Sequence, residues 1–160
     1  MKTQEQIVER INQNKATDFF GFGTQDLIWS LDFEHAKPFL ADDFIKKVEA
    51  GEEKWVDLPT DESVKAEITK YLDFAWDKCL GHRGISAGRS IAHFVSWCWL
   101  IGDDEAVAFL EDESNYVPYG APCLAYLSKR YGFEMPDSED AKRMARGDSC
   151  VPYCSQGCNG

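Results

Sequence analysis

Apolar residues along this chain return every three or four positions, and hardly anywhere every second one, which is the signature of helices. Thr3 and Gln6 form a T-x-x-Q capping box ahead of Ile7, Val8 and Ile11, so a first helix is expected to end near Lys15. Glycines and aromatics then mix in DFFGFGTQDLIWSLDF. That stretch reads as a loop packing Phe19, Phe20 and Phe22, followed by a short helix through Leu27, Ile28 and Leu31. Pro38 stands where a helical turn can begin. Phe44, Ile45 and Val48 mark the side to be buried in the helix that Gly51 stops. EEKWVDLPTDES reads as a loop or one short strand.

Pro59 and Thr60 announce the clearest helix, residues 61–80, in which Val64, Ile68, Tyr71, Leu72, Ala75 and Cys79 keep the spacing. Residues 88–101 are apolar on nearly every side, the mark of a central buried helix. Asp103 is placed to cap AVAFLEDE. Gly120 and Pro122 lead into CLAYLSKRY, which Gly132 stops, and Asp137 or Ser138 opens EDAKRMAR, which Gly147 closes. The expected fold is all-α. It is a compact single-domain bundle of seven or eight short helices over residues 1–147, followed by an irregular Cys-containing tail over 148–160. No fixed-period repeat or low-complexity segment interrupts it.

Composition narrows the function classes. A chain of 160 residues suits one domain with a real core. Its 28 acidic and 17 basic residues give a formal charge of −11, which argues against direct binding to nucleic acid or to an anionic membrane. The same charge suits a basic protein partner, or mimicry of a polyanion. MKTQEQIVERINQNK lacks the apolar core of a signal peptide, and the apolar run from Ile91 to Ile101 is far short of the roughly 18 residues that span a bilayer. A cytoplasmic setting with reduced thiols is the expectation.

Candidate chemistry sits in two places. GHRGISAGRSI resembles the H-C-x5-R-S/T phosphate loop of tyrosine and dual-specificity phosphatases, with His82, Arg89 and Ser90 in matching positions. Arg83 occupies the nucleophile position, and a guanidinium cannot attack phosphorus, so covalent phosphatase chemistry is rejected here. The preceding YLDFAWDKCL also has helical rather than strand periodicity. Without catalysis, His82, Arg83, Ser86 and Arg89 are candidate anion-binding residues at the start of a helix, with Ser86 as its N-cap. The plainer reading has the two arginines fastening helices through carboxylates.

The second place is RGDSCVPYCSQGCNG. Cys150, Cys154 and Cys158 make a C-x3-C-x3-C pattern, and thiolates that close together are soft ligands for Zn or an iron–sulfur cluster. The pattern matches neither a zinc ribbon nor the radical-SAM run. A fourth ligand would come from His35, His82, His93, Cys123 or a second chain. Free thiols, or one disulfide with one thiol left over, are the alternatives. Cys79, Cys98 and Cys123 fall on apolar faces and read as core residues, and the acids of GDDEAVAFLEDES read as a solvated face.

DFEHAKPFL, HRGISAGRSI and YGAPCLAYLSKRYGFE in that order resemble small bacterial or phage proteins of unassigned function. The resemblance implies a prokaryotic or phage cytosolic setting and no activity. The expected function is that of a non-enzymatic binding or regulatory protein with a protein partner and a metal-binding cysteine tail, and no catalytic residue is assigned. Two alternatives stay open. One is an enzyme or ligand-binding domain for a phosphate- or carboxylate-bearing small molecule at residues 82–90. The other is an acidic nucleic-acid mimic that inhibits a basic host enzyme.

Overall fold

The computed structural model describes residues 1–17, 21–56, 58–82, 85–116, 120–134 and 139, with the backbone alone for 16–17, 21–22, 77–82 and 85–90. Among these, every regular element is helical. In chain order they are α1 (Gln4–Thr17), α2 (Gly21–Trp29), α3 (Phe33–Ala36), α4 (Asp42–Glu49), α5 (Asp61–His82), α6 (Ile85–Leu100), α7 (Asp104–Glu111) and α8 (Ala121–Tyr131). Short 3-10 turns occupy Lys37–Phe39 and Glu113–Tyr116. The all-α class therefore holds. None of the described helices is long and apolar enough to cross a membrane. EDAKRMAR after Glu139, the residue 148–160 tail and the loop aromatics Phe19 and Phe20 lie outside the described residues, and so does the side chain of Phe22.

Local signals set several boundaries. The Thr3 amide donates to Gln6 Oε1 at 2.9 Å and the Gln6 amide donates back to Thr3 Oγ1 at 3.3 Å, which realises the capping box. Asp103 caps α7 by accepting from the Ala106 amide at 3.2 Å. Gly132 ends α8 with φ of 74°, a left-handed conformation that a side chain resists. One expectation is corrected: the central helix begins at Ile85, three residues ahead of the expected start at 88, so Ser86 lies inside the helix and not at its cap. Of the two readings of EEKWVDLPTDES, the loop holds, since the stretch before α5 has no strand among its described residues.

The apolar circumference of α6 is explained by a core on each side. Towards one side Ile91, Phe94, Val95 and Cys98 pack with Val64, Ile68, Leu72 and Trp76 of α5, and Leu110, Leu124 and Leu127 close the cluster. Towards the other, Leu100 joins Ile7, Ile11, Leu27, Leu31 and Ala36. Trp97 packs against both clusters. The helices that touch α6 most extensively are α2 and α5. At the α2 crossing a Cβ on Gly23 would lie 2.5 Å from Ser96 Oγ and 2.6 Å from the Ala92 carbonyl oxygen, so only glycine permits this approach. Ser96 Oγ donates to the Gly23 carbonyl at 2.8 Å across the same contact.

Helix α4 departs from the sequence expectation. Phe44, Ile45 and Val48 do share a face, yet none of its residues is fully buried. Among the described elements, none covers this helix as α2 and α5 cover α6.

Candidate functional site

The sequence-based candidates are placed only in part. His82 closes α5, while Ser86 and Arg89 fall in the first half of α6. Their side chains and all of Arg83 lie outside the described residues, as do Cys150, Cys154 and Cys158. Among the described residues no three His, Cys, Asp or Glu side chains gather as a metal site would require. Of the expected fourth ligands, His35, His93 and Cys123 are engaged locally. His35 Nδ1 meets the Asp32 carboxylate at 2.9 Å, His93 Nδ1 faces Asp26 Oδ2, and Cys123 Sγ donates to the Asn115 carbonyl at 3.5 Å. Cys98 and Cys123 are buried free thiols, as their spacing predicts.

What the described residues do assemble is an apolar groove on the α4 side of α2. Its lining is Gln25, Ile28 and Trp29 from α2, Phe39, Leu40 and Ala41 from the connection, and Phe44 from α4, around about 350 Å³. The Trp29 ring stacks on Trp55 at a centroid distance of 4.8 Å and receives Phe44 edge-on at 6.0 Å. Trp55 is anchored from below, its Nε1–H donating to the Leu31 carbonyl at 2.9 Å. Trp29 itself stays 41% exposed, and the nearby chain leaves Val56 and Leu58 half in solvent at 50% and 52%. Trp29, Phe44, Val56 and Leu58 belong to neither buried cluster, whereas Ile28, Phe39, Leu40 and Trp55 pack against the outside of the second.

The rim of the groove is charged. Lys15 Nζ lies 4.4 Å from the Phe39 ring centroid, and Lys37 pairs with Glu34 at 2.9 Å and Glu49 at 3.5 Å. Asp42 and Asp43 lead α4 with no ion pair among the described residues, and Lys47 follows one turn later. Along the sequence, residues 32–62 hold ten acids and four lysines, so this fifth of the chain supplies about half of the net −11.

Two polar clusters hold the bundle elsewhere. On the opposite side of α2, Asp26 pairs with His93 of α6, whose ring also lies against Tyr71 at 5.5 Å and Trp97 at 5.9 Å. Burial pushes the Asp26 carboxyl above its ordinary value, and the histidine only partly offsets this. The carboxylate draws the ring proton to Nδ1, and Nε2 has no hydrogen-bond partner among the described residues. Asp103 gathers the other cluster. It accepts from Arg130 Nε and Nη2 at 2.6 Å each and from the Tyr131 hydroxyl at 2.7 Å, while Cys98 Sγ lies 3.7 Å from that hydroxyl. Asp103, Arg130 and Tyr131 border an open cleft of about 820 Å³ that Lys65 and Thr69 also line.

Sequence reasoning passed over the groove because each apolar residue in it, taken alone, fits a core position. The available signal was the brevity of α4, whose three apolar residues stand among acids and lysines. Comparison with protein-family models, with curated proteins and with solved structures finds no match.

Proposed function

We propose that this chain is a non-enzymatic binding protein whose contact surface is the α2–α4 groove, and that the groove takes the apolar face of a helical segment of another protein. The observation that carries this reading is an amphipathic helix, α4, with no fully buried residue beside a stacked tryptophan that is 41% exposed. A groove between two helices accepts a third by admitting side chains spaced at i, i+3 or i+4 and i+7. Trp29 and Phe44 are the anchors, since large, rigid aromatics dominate such contacts. The reading is tested by titrating the protein with an amphipathic helical peptide whose polar face is uncharged, following tryptophan fluorescence. Saturable binding that weakens about thirtyfold in Trp29→Ala supports it, corresponding to a hot-spot loss of about 2 kcal/mol. Binding unaffected by Trp29→Ala rejects it.

A second reading, a site for a phosphate- or carboxylate-bearing small molecule, is favoured by the cleft between α5 and α8. Lys65 has no ion-pair partner there among the described residues, and Asp103 holds the Arg130 guanidinium in a fixed plane. Stabilisation by inorganic phosphate or pyrophosphate that Lys65→Gln abolishes supports that reading, and no thermal shift with either rejects it.

A further inference from the structure

Resting on the groove reading above, we infer that the segment received between α2 and α4 is a basic amphipathic helix. Three observations lead there. The first is the shape and chemistry of the surface. Ile28, Trp29, Phe39, Leu40 and Phe44 offer an apolar floor, and Gln25 is the polar side chain in the lining, so the floor selects for apolar anchors without reading their sequence.

The second is the net charge of the sequence that supplies α4 and the connection before it. The 32–62 stretch, from the end of α2 to the start of α5, holds ten acids and four lysines. Of the lysines, Lys37 is already shared between Glu34 and Glu49. Lys15 lies over the Phe39 ring, and Lys46 and Lys47 share α4 with Asp42 and Asp43, so the immediate rim is mixed. Selection by charge therefore acts through the summed field of this part of the surface and not through one rim pair. A field of that kind speeds encounter with a cation-faced partner and fades as salt shortens the screening length.

The third observation weighs against a second copy of the chain. Each copy carries −11, so the field that attracts a basic helix repels another molecule of the same protein. An acidic partner meets the same repulsion. A neutral apolar segment would bind through the floor alone and gain nothing from the field.

The experiment uses the full chain and three peptides of equal length. One has a leucine face and a lysine polar face, the second keeps the leucine face with a glutamate polar face, and the third scrambles the first so that its charge remains and its apolar face is lost. Dissociation constants are measured at low and at high salt, with sedimentation of the protein alone as a control. The inference expects the lysine-faced peptide to bind at least about tenfold more tightly than the glutamate-faced one at low salt, a preference that shrinks at high salt. It also expects the scrambled peptide to bind at least about tenfold more weakly and the protein alone to sediment as a monomer. Equal binding of the lysine- and glutamate-faced peptides, abolished by Trp29→Ala, overturns the basic partner while leaving the groove in place. Scrambled and lysine-faced peptides binding alike overturns both, because charge alone would then account for capture. A concentration-dependent dimer that Trp29→Ala dissolves overturns the inference in favour of self-association.

Discussion

Trp29 and Trp55 stack at 4.8 Å with their planes 20° apart, and among the described residues only Trp55 is held by a hydrogen bond from its indole. Trp55 is tied through its indole N–H to the Leu31 carbonyl, whereas Trp29 presents an open side to solvent. The stack thus makes one tryptophan a support and the other a contact surface. Trp55→Ala is expected to lower stability by about 2–3 kcal/mol, through lost packing and an orphaned carbonyl. Trp29→Ala should cost about 1 kcal/mol or less. Urea unfolding of the two variants checks the order, and equal losses would contradict the division of roles.

The α2–α6 crossing predicts a steric effect. Gly23→Ala places a Cβ against the Ala92 backbone carbonyl as well as the Ser96 hydroxyl, so removing the hydroxyl does not relieve it. Gly23→Ala should destabilise by about 1–3 kcal/mol, and Ser96→Ala in the same chain should not restore the loss. Chemical denaturation of the single and double variants reads this directly.

How much of this was legible in the sequence follows from what each residue's neighbours are. The capping box at Thr3–Gln6, the Asp103 cap and the Gly132 stop depend on residues within three or four positions, so the sequence displays them. The central helix was legible because it is apolar all round, which means neighbours on both sides whatever their identity. The partial cover of α4 was not legible, since Phe44, Ile45 and Val48 have the same spacing whether another helix covers them or solvent does. The pairing of Asp26 with His93 was equally hidden, joining residues 67 positions apart. The anion loop and the cysteine tail, the features most visible in the sequence, fall outside the described side chains.

Two carboxylates give opposite pH dependence. Burial pushes the Asp103 carboxyl up, but the hydrogen bonds from Arg130, Tyr131 and the Ala106 amide outweigh it and hold it below its ordinary value. Its contribution to stability is complete above the unfolded value near 3.8 and is lost as pH falls through the folded value. Asp26 is raised by burial, so the fold gains as pH falls from its folded value towards 3.8. Urea midpoints from about pH 7 to about pH 3 should fall less steeply in Asp103→Asn than in the unaltered chain, and more steeply in Asp26→Asn. Parallel profiles for all three proteins would contradict the assignment.

The Tyr126 ring stacks on Phe109 at 4.1 Å, yet its buried hydroxyl has no hydrogen-bond partner among the described residues. Tyr126→Phe should leave stability unchanged or raise it by up to about 1 kcal/mol, because the ring contact survives and an unsatisfied group is removed. A melting temperature that drops would show that the hydroxyl has a partner.

Burial pushes the Cys98 thiol up to about 12, so almost no thiolate is present at neutral pH. Peptide mapping after iodoacetamide treatment should show Cys98 unmodified in the folded protein and modified in urea. Cys98 labelling in the native chain would contradict its place in the core.

The central claim is that α4 and Trp29 form the contact surface for a basic helix. Amide hydrogen exchange with and without the lysine-faced peptide tests it most directly. Slowed exchange confined to residues 25–29 and 40–49, and absent in Trp29→Ala, is the predicted result. Protection that appears elsewhere on the bundle, or none at saturating peptide, would contradict it.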